Sequence, residues 1–319
     1  MNTPNASIDL ASAGERFDLD TQFSKEGNGM INTYPTPWPT LTRVGRCLRP
    51  GTDTIIAGPA KHGKSYFAMT IALRIHRSGV PWRYLPLEDR RLDFARRMLC
   101  LITGSWEPLR DEQETAPNRQ QALNMNRSEL NEIMQNVLEN PMLPQGKDDV
   151  PDLRHKTVTD FIREASKVAK VIIVDPIAQI DFDTDGQKSW QAERKFIQRI
   201  GHIAAETECC PILLAHTVKR QGSNRGASFA SDDIQGSSAL TRLSHNSLIL
   251  EAHDARPDLV RGDDGTEMEG LLHNRTLHIA AVRNGMGTGM KLAYNLGCNS
   301  PIFEELGIIL PPKKKEKKA

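Results

Sequence analysis

The sequence predicts an α/β fold: a mostly parallel central sheet flanked by helices, with a C-terminal β-hairpin. Three observations carry that expectation. From Thr54 to about Leu296, short apolar runs alternate with helical patterns, the order that builds βαβ units. One of these runs, Val171-Ile172-Ile173-Val174-Asp175, stays apolar until its last residue, as a strand covered on both faces must. Residues 58–65, Gly-Pro-Ala-Lys-His-Gly-Lys-Ser, match G-x-x-x-x-G-K-[ST] between a strand and a helix.

Strands are expected at 54–57, 82–86, 171–175, 211–216 and 246–250. Two more, 276–282 and 290–296, flank Asn284-Gly285-Met286-Gly287-Thr288-Gly289, whose Asn-Gly start marks a hairpin. Ala68, Ile71, Ala72 and Ile75 share one face of the helix after the glycine-rich loop. Val158, Phe161, Ile162 and Ala165 do the same before the 171–175 strand.

Residues 1–35 are polar, show no periodicity and read as a disordered or loosely ordered arm. Prolines 35, 37, 39 and 50 punctuate the approach to the first strand. Residues 103–150 read as a polar insertion of loops and one short helix within a domain spanning 36–310. The lysine-rich tail, 311–319, cannot build a core; a solvated tail and a nucleic-acid-touching arm are its two readings.

Composition narrows the class. A chain of 319 residues, 38% hydrophobic and 25% charged, has the balance of a soluble globular protein. Its net charge of +1 means any nucleic acid must be held by local basic loops, not by a general basic field. No apolar run approaches the roughly 20 residues that span a bilayer, and no signal-peptide core is present. Cys47, Cys100, Cys209, Cys210 and Cys298 lack metal-ligand spacing, and the adjacent Cys209 and Cys210 read as core residues beside a strand. The expectation is a reduced, cytoplasmic protein without a structural metal.

The 58–65 loop carries the chemistry. Gly58, Pro59, Ala60, Lys61, His62 and Gly63 form a turn whose backbone N–H groups make an anion nest at a helix N-terminus. Lys64 reaches the β- and γ-phosphates of a nucleoside triphosphate and Ser65 ligates Mg²⁺, so ATP and Mg²⁺ are the expected cofactors. Asp175, ending a buried strand, is the expected carboxylate of the Mg²⁺ shell. Glu88, beyond the next strand, is the candidate base for the attacking water; a helix N-terminal acid is its other reading. His216 ends an apolar strand where a side chain can sense the γ-phosphate, although a structural histidine would look the same.

With these residues assembled, the chain resembles a RecA-like P-loop ATPase of the hexameric replicative helicase group, which includes DnaB-type and small plasmid RepA-type helicases. The resemblance covers about residues 41–296 and includes Leu48-Arg49-Pro50-Gly51 before the loop. Ala281-Val282-Arg283-Asn284-Gly285-Met286-Gly287-Thr288-Gly289 is similar to the DnaB-type Lys-Gln-Arg-Asn-Gly-Pro-x-Gly hairpin. That likeness implies that Arg283 reaches a neighbouring subunit's ATP site, while Ala281 replaces the family's lysine. Tyr84-Leu85-Pro86-Leu87-Glu88-Asp89 and Gln235-Gly236-Ser237-Ser238-Ala239-Leu240 are closer to the small plasmid type. The expectation that the chain has no room for the N-terminal helical domain by which DnaB-type proteins meet primase also favours the short, plasmid- or phage-like type.

The resemblance implies a homo-oligomeric ring, a hexamer, with no membrane contact and with single-stranded DNA in its channel. The glycine- and serine-rich segment 220–228 stands where such rings touch DNA, and Lys219, Arg220 and Arg225 could pair with phosphates. An exposed flexible turn is the plainer reading of that segment. The expected function is an ATP-dependent DNA helicase or translocase in plasmid or phage replication. A RecA- or RadA-like recombination ATPase and an ATP-regulated switch protein share the same loop, Asp175 and Glu88. The low aromatic content of 5% and the missing zinc module weigh against the RadA-like reading.

Overall fold

A computed structural model describes residues 33–109, 116–138, 154–182, 189–217 and 242–311. These lie within one unit, Thr33–Ala319. Its sheet has eight strands in the order β2-β3-β4-β1-β5-β6-β7-β8. They are β1 (Thr54–Gly58), β2 (Trp82–Pro86), β3 (Val171–Asp175), β4 (Cys210–His216), β5 (Asn246–Arg261), β6 (Glu267–Val282), β7 (Lys291–Leu296) and β8 (Phe303–Ile309).

β2, β3, β4, β1 and β5 run parallel. From β5 onward the pairing is antiparallel. The expected hairpin is present, with His278 opposite Lys291 and Arg275 opposite Tyr294. It belongs to a larger antiparallel half than the sequence suggested. β5 and β6 both run on as 16-residue strands, and β8 follows. The outer end of β5 also pairs with β8, Val260 against Ile309 and Arg261 against Ile308, so the four strands close on themselves. Gly307 makes that crossing feasible, because a Cβ there would lie 2.1 Å from the Arg261 carbonyl oxygen.

Helices cover both faces of the parallel half. α1 (Pro39–Gly45), α2 (Lys64–Arg77), α3 (Arg91–Thr103) and α4 (Ala116–Met134) precede β3. α5 (His155–Ser166) and α6 (Ser189–Thr207) follow. β1 alternates between two cores. Ile56 packs with Phe67 and Ile71 of α2 and Phe94 of α3. Ile55 and Ala57 pack with Val158 and Ile162 of α5 and with Phe196 and Ile200 of α6. Cys209 and Cys210, at the start of β4, are buried on opposite faces, one in each core.

α1 starts with Pro39 at its first position and is capped from β8, where the Glu305 carboxylate accepts from the Thr40 and Leu41 N–H groups at 2.8 and 2.9 Å. Its C-terminal carbonyls receive the 284–289 turn. A Cβ on Gly285 would lie 2.6 Å from the Gly45 oxygen, and one on Gly287 2.8 Å from that of Val44.

The segment expected to hold one short helix instead contains the 19-residue α4. Its inward face mixes Ala122, Leu123, Leu130, Ile133 and Met134 with the polar Arg119, Asn126 and Glu129, so the apolar stripe is too interrupted to announce it. Leu130 and Ile133 are its buried anchors, Ala122, Leu123 and Met134 pack partly buried against the same core, and Val137 then pairs beside Tyr84 of β2. Residues 1–32 and 312–319 lie outside the described residues, as do Lys219, Arg220 and Arg225. Among the described residues no helix is long and apolar enough to cross a membrane.

Candidate active site

The glycine-rich loop joins β1 to α2 at the C-terminal edge of the parallel strands, the edge on which α/β sheets hold ligands. Gly58 must be glycine, since a Cβ would sit 2.3 Å from the Leu250 carbonyl oxygen on β5. Gly63 takes φ of 96°, the left-handed turn that points the following N–H groups inward. His62 pins the loop to β5, its Nδ1 accepting the Ala252 N–H at 2.8 Å. Burial, with Lys64 nearby, pushes the His62 imidazole down to about 4, so it stays a neutral acceptor.

Lys64 folds back along the loop. Its ammonium donates to the Gly58 and Pro59 carbonyls, each at 2.8 Å, and lies 3.3 Å from His216 Nδ1. Burial pushes it down to about 8, against the pull of Asp175 and Glu88, so the lysine is charged at neutral pH. An ammonium only donates. His216 Nδ1 is therefore the bare nitrogen, and Nε2–H faces Glu88 Oε1 at 3.9 Å. β4 puts His216 there by pairing it with Gly58. Burial and the Lys64 charge hold its imidazole below its usual range.

Asp175 ends β3 almost fully buried. Tyr84 Oη donates to its Oδ2 at 2.6 Å, and the Ser65 hydroxyl is hydrogen-bonded to it as well. Burial pushes the carboxyl up to about 6, and the two hydroxyl bonds limit the rise. A hydroxyl and a carboxylate side by side, two hard oxygen ligands next to a phosphate loop, fit the part-shell that Mg²⁺ takes from a protein. The loop glycines and Lys64 fit the triphosphate.

Glu88 lies in the turn after β2, half exposed, where Gln179 Nε2 donates to its Oε1 at 3.2 Å. Its neighbour Asp89 turns the other way, to Arg97 of α3. α3 begins only at Arg91, so the acid tied to that helix is Asp89, and Glu88 faces Gln179 and His216.

Thus Gly58–Ser65, Asp175, Glu88 and His216 meet at one edge, and Arg283 does not join them. β6 ends at Val282 opposite Asn246, which pairs with Thr54 at the start of β1. β1, five residues long, spans ~13 Å, so Arg283 stands at the far edge of the sheet from its own loop. It is exposed, with its N–H on the His245 carbonyl at 3.2 Å and Nη2 on the Arg242 carbonyl at 3.3 Å. Sequence reasoning assigned no role to Tyr84, Gln179 or the His62–Ala252 bond. Each depends on a partner far along the chain, and only the polar Tyr84 within an apolar strand hinted at a buried hydrogen bond.

The AAA_25 family model, "AAA domain", matches residues 31–222, more than half of the chain. No curated protein matches. Solved structures do. One described as a DnaB-like replicative helicase and its interactions with primase aligns with a TM-score of 0.68 at 15% identity, over 94% of this chain and 67% of that one. Another, described as an ATPase domain, aligns at 0.67 and 15% identity, over 95% of this chain and all of that one. The KaiC-like protein PH0186 from the hyperthermophilic archaeon Pyrococcus horikoshii OT3 gives 0.51 at 14%, over 86% and 97%. The expected likeness to the RecA-like replicative helicase group thus holds as a likeness of fold. The chain is a P-loop ATPase-type protein belonging to the AAA domain family.

Proposed function

We propose that the chain is an ATP-dependent DNA helicase or translocase that works as a ring, a hexamer, in plasmid or phage DNA replication. The observation that supports a ring is the separation of Arg283 from its own loop by the length of β1, ~13 Å along the strand. An exposed arginine at one edge and an otherwise complete phosphate site at the other make each subunit half of two sites. When copies pack edge to edge, Arg283 of one meets the γ-phosphate held by the next.

Each residue then has one task. Lys64 exchanges its two loop carbonyls for the β- and γ-phosphate oxygens. Ser65 and Asp175 would hold Mg²⁺, which would supply positive charge beside the triphosphate. Glu88, oriented by Gln179, takes the proton of the attacking water. His216, touching Lys64 on one side and facing Glu88 on the other, reports whether a γ-phosphate is present. Lys219, Arg220 and Arg225 contact single-stranded DNA through its phosphates.

The test is ATP hydrolysis with and without single-stranded DNA, followed by unwinding of a forked duplex. A motor hydrolyses faster on DNA and separates the strands. DNA-stimulated hydrolysis without unwinding would favour a recombination ATPase, and slow DNA-independent hydrolysis a switch protein.

A further inference from the structure

Asp53 is fully buried at the last position before β1, an unusual place for a carboxylate. Its Oδ1 accepts two bonds from one residue, the His245 ring Nδ1 at 2.5 Å and the His245 backbone N–H at 3.3 Å. A carboxylate only accepts, so Nδ1 carries the proton. Oδ2 has no hydrogen-bond partner among the described residues, so the carboxylate is spent on His245 alone. Asp53 also offers its carbonyl to the Asn246 N–H at 3.1 Å. α6 closes the pocket with Gly201, where a Cβ would lie 3.7 Å from Asp53 Oδ1 and 3.9 Å from the His245 ring.

The segment fixed in this way, residues 242–245, is the one that holds Arg283. Among the described residues, Arg283 bonds this segment twice, N–H to the His245 carbonyl and Nη2 to the Arg242 carbonyl. We infer that Asp53 and His245 are positioning residues for Arg283, fixing the direction in which it leaves the subunit. The inference rests on the proposed role of Arg283 at a neighbour's ATP site. Leaving a carboxylate buried is costly unless it is well bonded, and a short apolar contact would fill the same space more cheaply. What the carboxylate adds is direction, because two bonds to one oxygen fix both the ring and the backbone of His245.

Mixed oligomers test this by complementation. A Lys64→Ala subunit has a damaged loop and a sound Arg283, and an Arg283→Ala subunit the reverse. If Asp53→Ala disables only Arg283, it should bind a fluorescent ATP analogue normally and hydrolyse ATP roughly tenfold more slowly. Mixing with Lys64→Ala subunits should restore hydrolysis, and mixing with Arg283→Ala subunits should not. His245→Ala should fall in the same class with a smaller loss. Rescue of Asp53→Ala by Arg283→Ala subunits, lost nucleotide binding or unchanged turnover would overturn the inference. Loss of the oligomer in both variants would also overturn it, since the pair would then hold the fold and not the arginine. Should Arg283→Ala itself gain nothing from Lys64→Ala subunits, the ring reading fails, and this inference with it. Rescue of Arg283→Ala but not of Asp53→Ala removes the inference alone.

Discussion

The Tyr84 hydroxyl, fully buried in β2, donates a 2.6 Å hydrogen bond to Oδ2 of Asp175 on β3. The strands are neighbours in parallel register, Tyr84 opposite Ile173 and Pro86 opposite Asp175, so the ring reaches along the strand to the carboxylate. Asp175 thus has two hydroxyl partners, Tyr84 and Ser65. The bond also ties Asp175 to the strand that leads into the Glu88 turn.

Tyr84→Phe keeps the ring's packing against Phe94 and deletes only the donor. The carboxylate then loses a charge-assisted bond, typically about 1.5–3 kcal/mol. ATPase activity should require more Mg²⁺ for half-maximal rate, with little change in fold by circular dichroism. An unchanged Mg²⁺ titration would show that Ser65 alone orients Asp175.

Asp175→Asn should abolish hydrolysis and yet stabilise the nucleotide-free protein. The folded carboxyl stands at about 6, above its ordinary 3.8. Between those values the native state binds more protons than the unfolded state, so stability from this group is lost as pH rises from about 4 through about 6. Asparagine removes that penalty. Thermal melts at pH 7.5 should show the variant more stable by about 1–3 kcal/mol, and the gain should vanish near pH 4. A variant less stable than the parent at pH 7.5 would refute it.

Glu88→Gln should bind ATP and Mg²⁺ and hydrolyse slowly, because only the proton acceptor is removed. A general base is worth roughly 10²–10⁴ in rate, so single-turnover hydrolysis should fall by at least the lower figure. Parallel loss of ATP binding would place Glu88 in the binding site instead. Turnover near the parent's would return it to the plain role of an acid before α3.

Arg220 and Arg225, changed together to Ala, should weaken single-stranded DNA binding and flatten its salt dependence. Each lost phosphate contact should lower the log–log slope by about 0.7, while DNA-independent ATPase survives. A steep, unchanged slope would assign the contact to another surface.

Local spacing made most of the candidate site legible. Gly58, Gly63, Lys64 and Ser65 are one turn, and Asp175 is the polar end of an apolar run, so both signals sit within a few residues. The parallel strands were legible for the same reason. β8 was not, because what makes Phe303–Ile309 a strand is its pairing with β7 and β5. The outer half of β5 reads Asp254-Ala255-Arg256-Pro257-Asp258, which its own composition argues against. Register shifts at Ala252/Arg256 and Asp258/Val260 accommodate it beside β6. Glu88 could be chosen from its place after β2, yet its separation from Asp89 needed Arg97 on α3 and Gln179 beyond β3. Arg283 stood out as a motif, whereas its grip on residues 242–245 joins segments about forty positions apart.

The pairing of β5 with β8 has a mechanical consequence. An open sheet ends in two rows of unpaired backbone groups that invite a strand from another molecule. Here one margin is folded back onto β5, and the other, β2, is flanked by residues 136–138, where Leu138 N–H and the Asn136 carbonyl bond both sides of Tyr84. In the proposed ring, then, the described strands leave copies of the chain to meet through side chains and loops and not through a ladder shared with this sheet. Contacts of that kind would break and re-form during the proposed cycle more readily than a seam of main-chain hydrogen bonds.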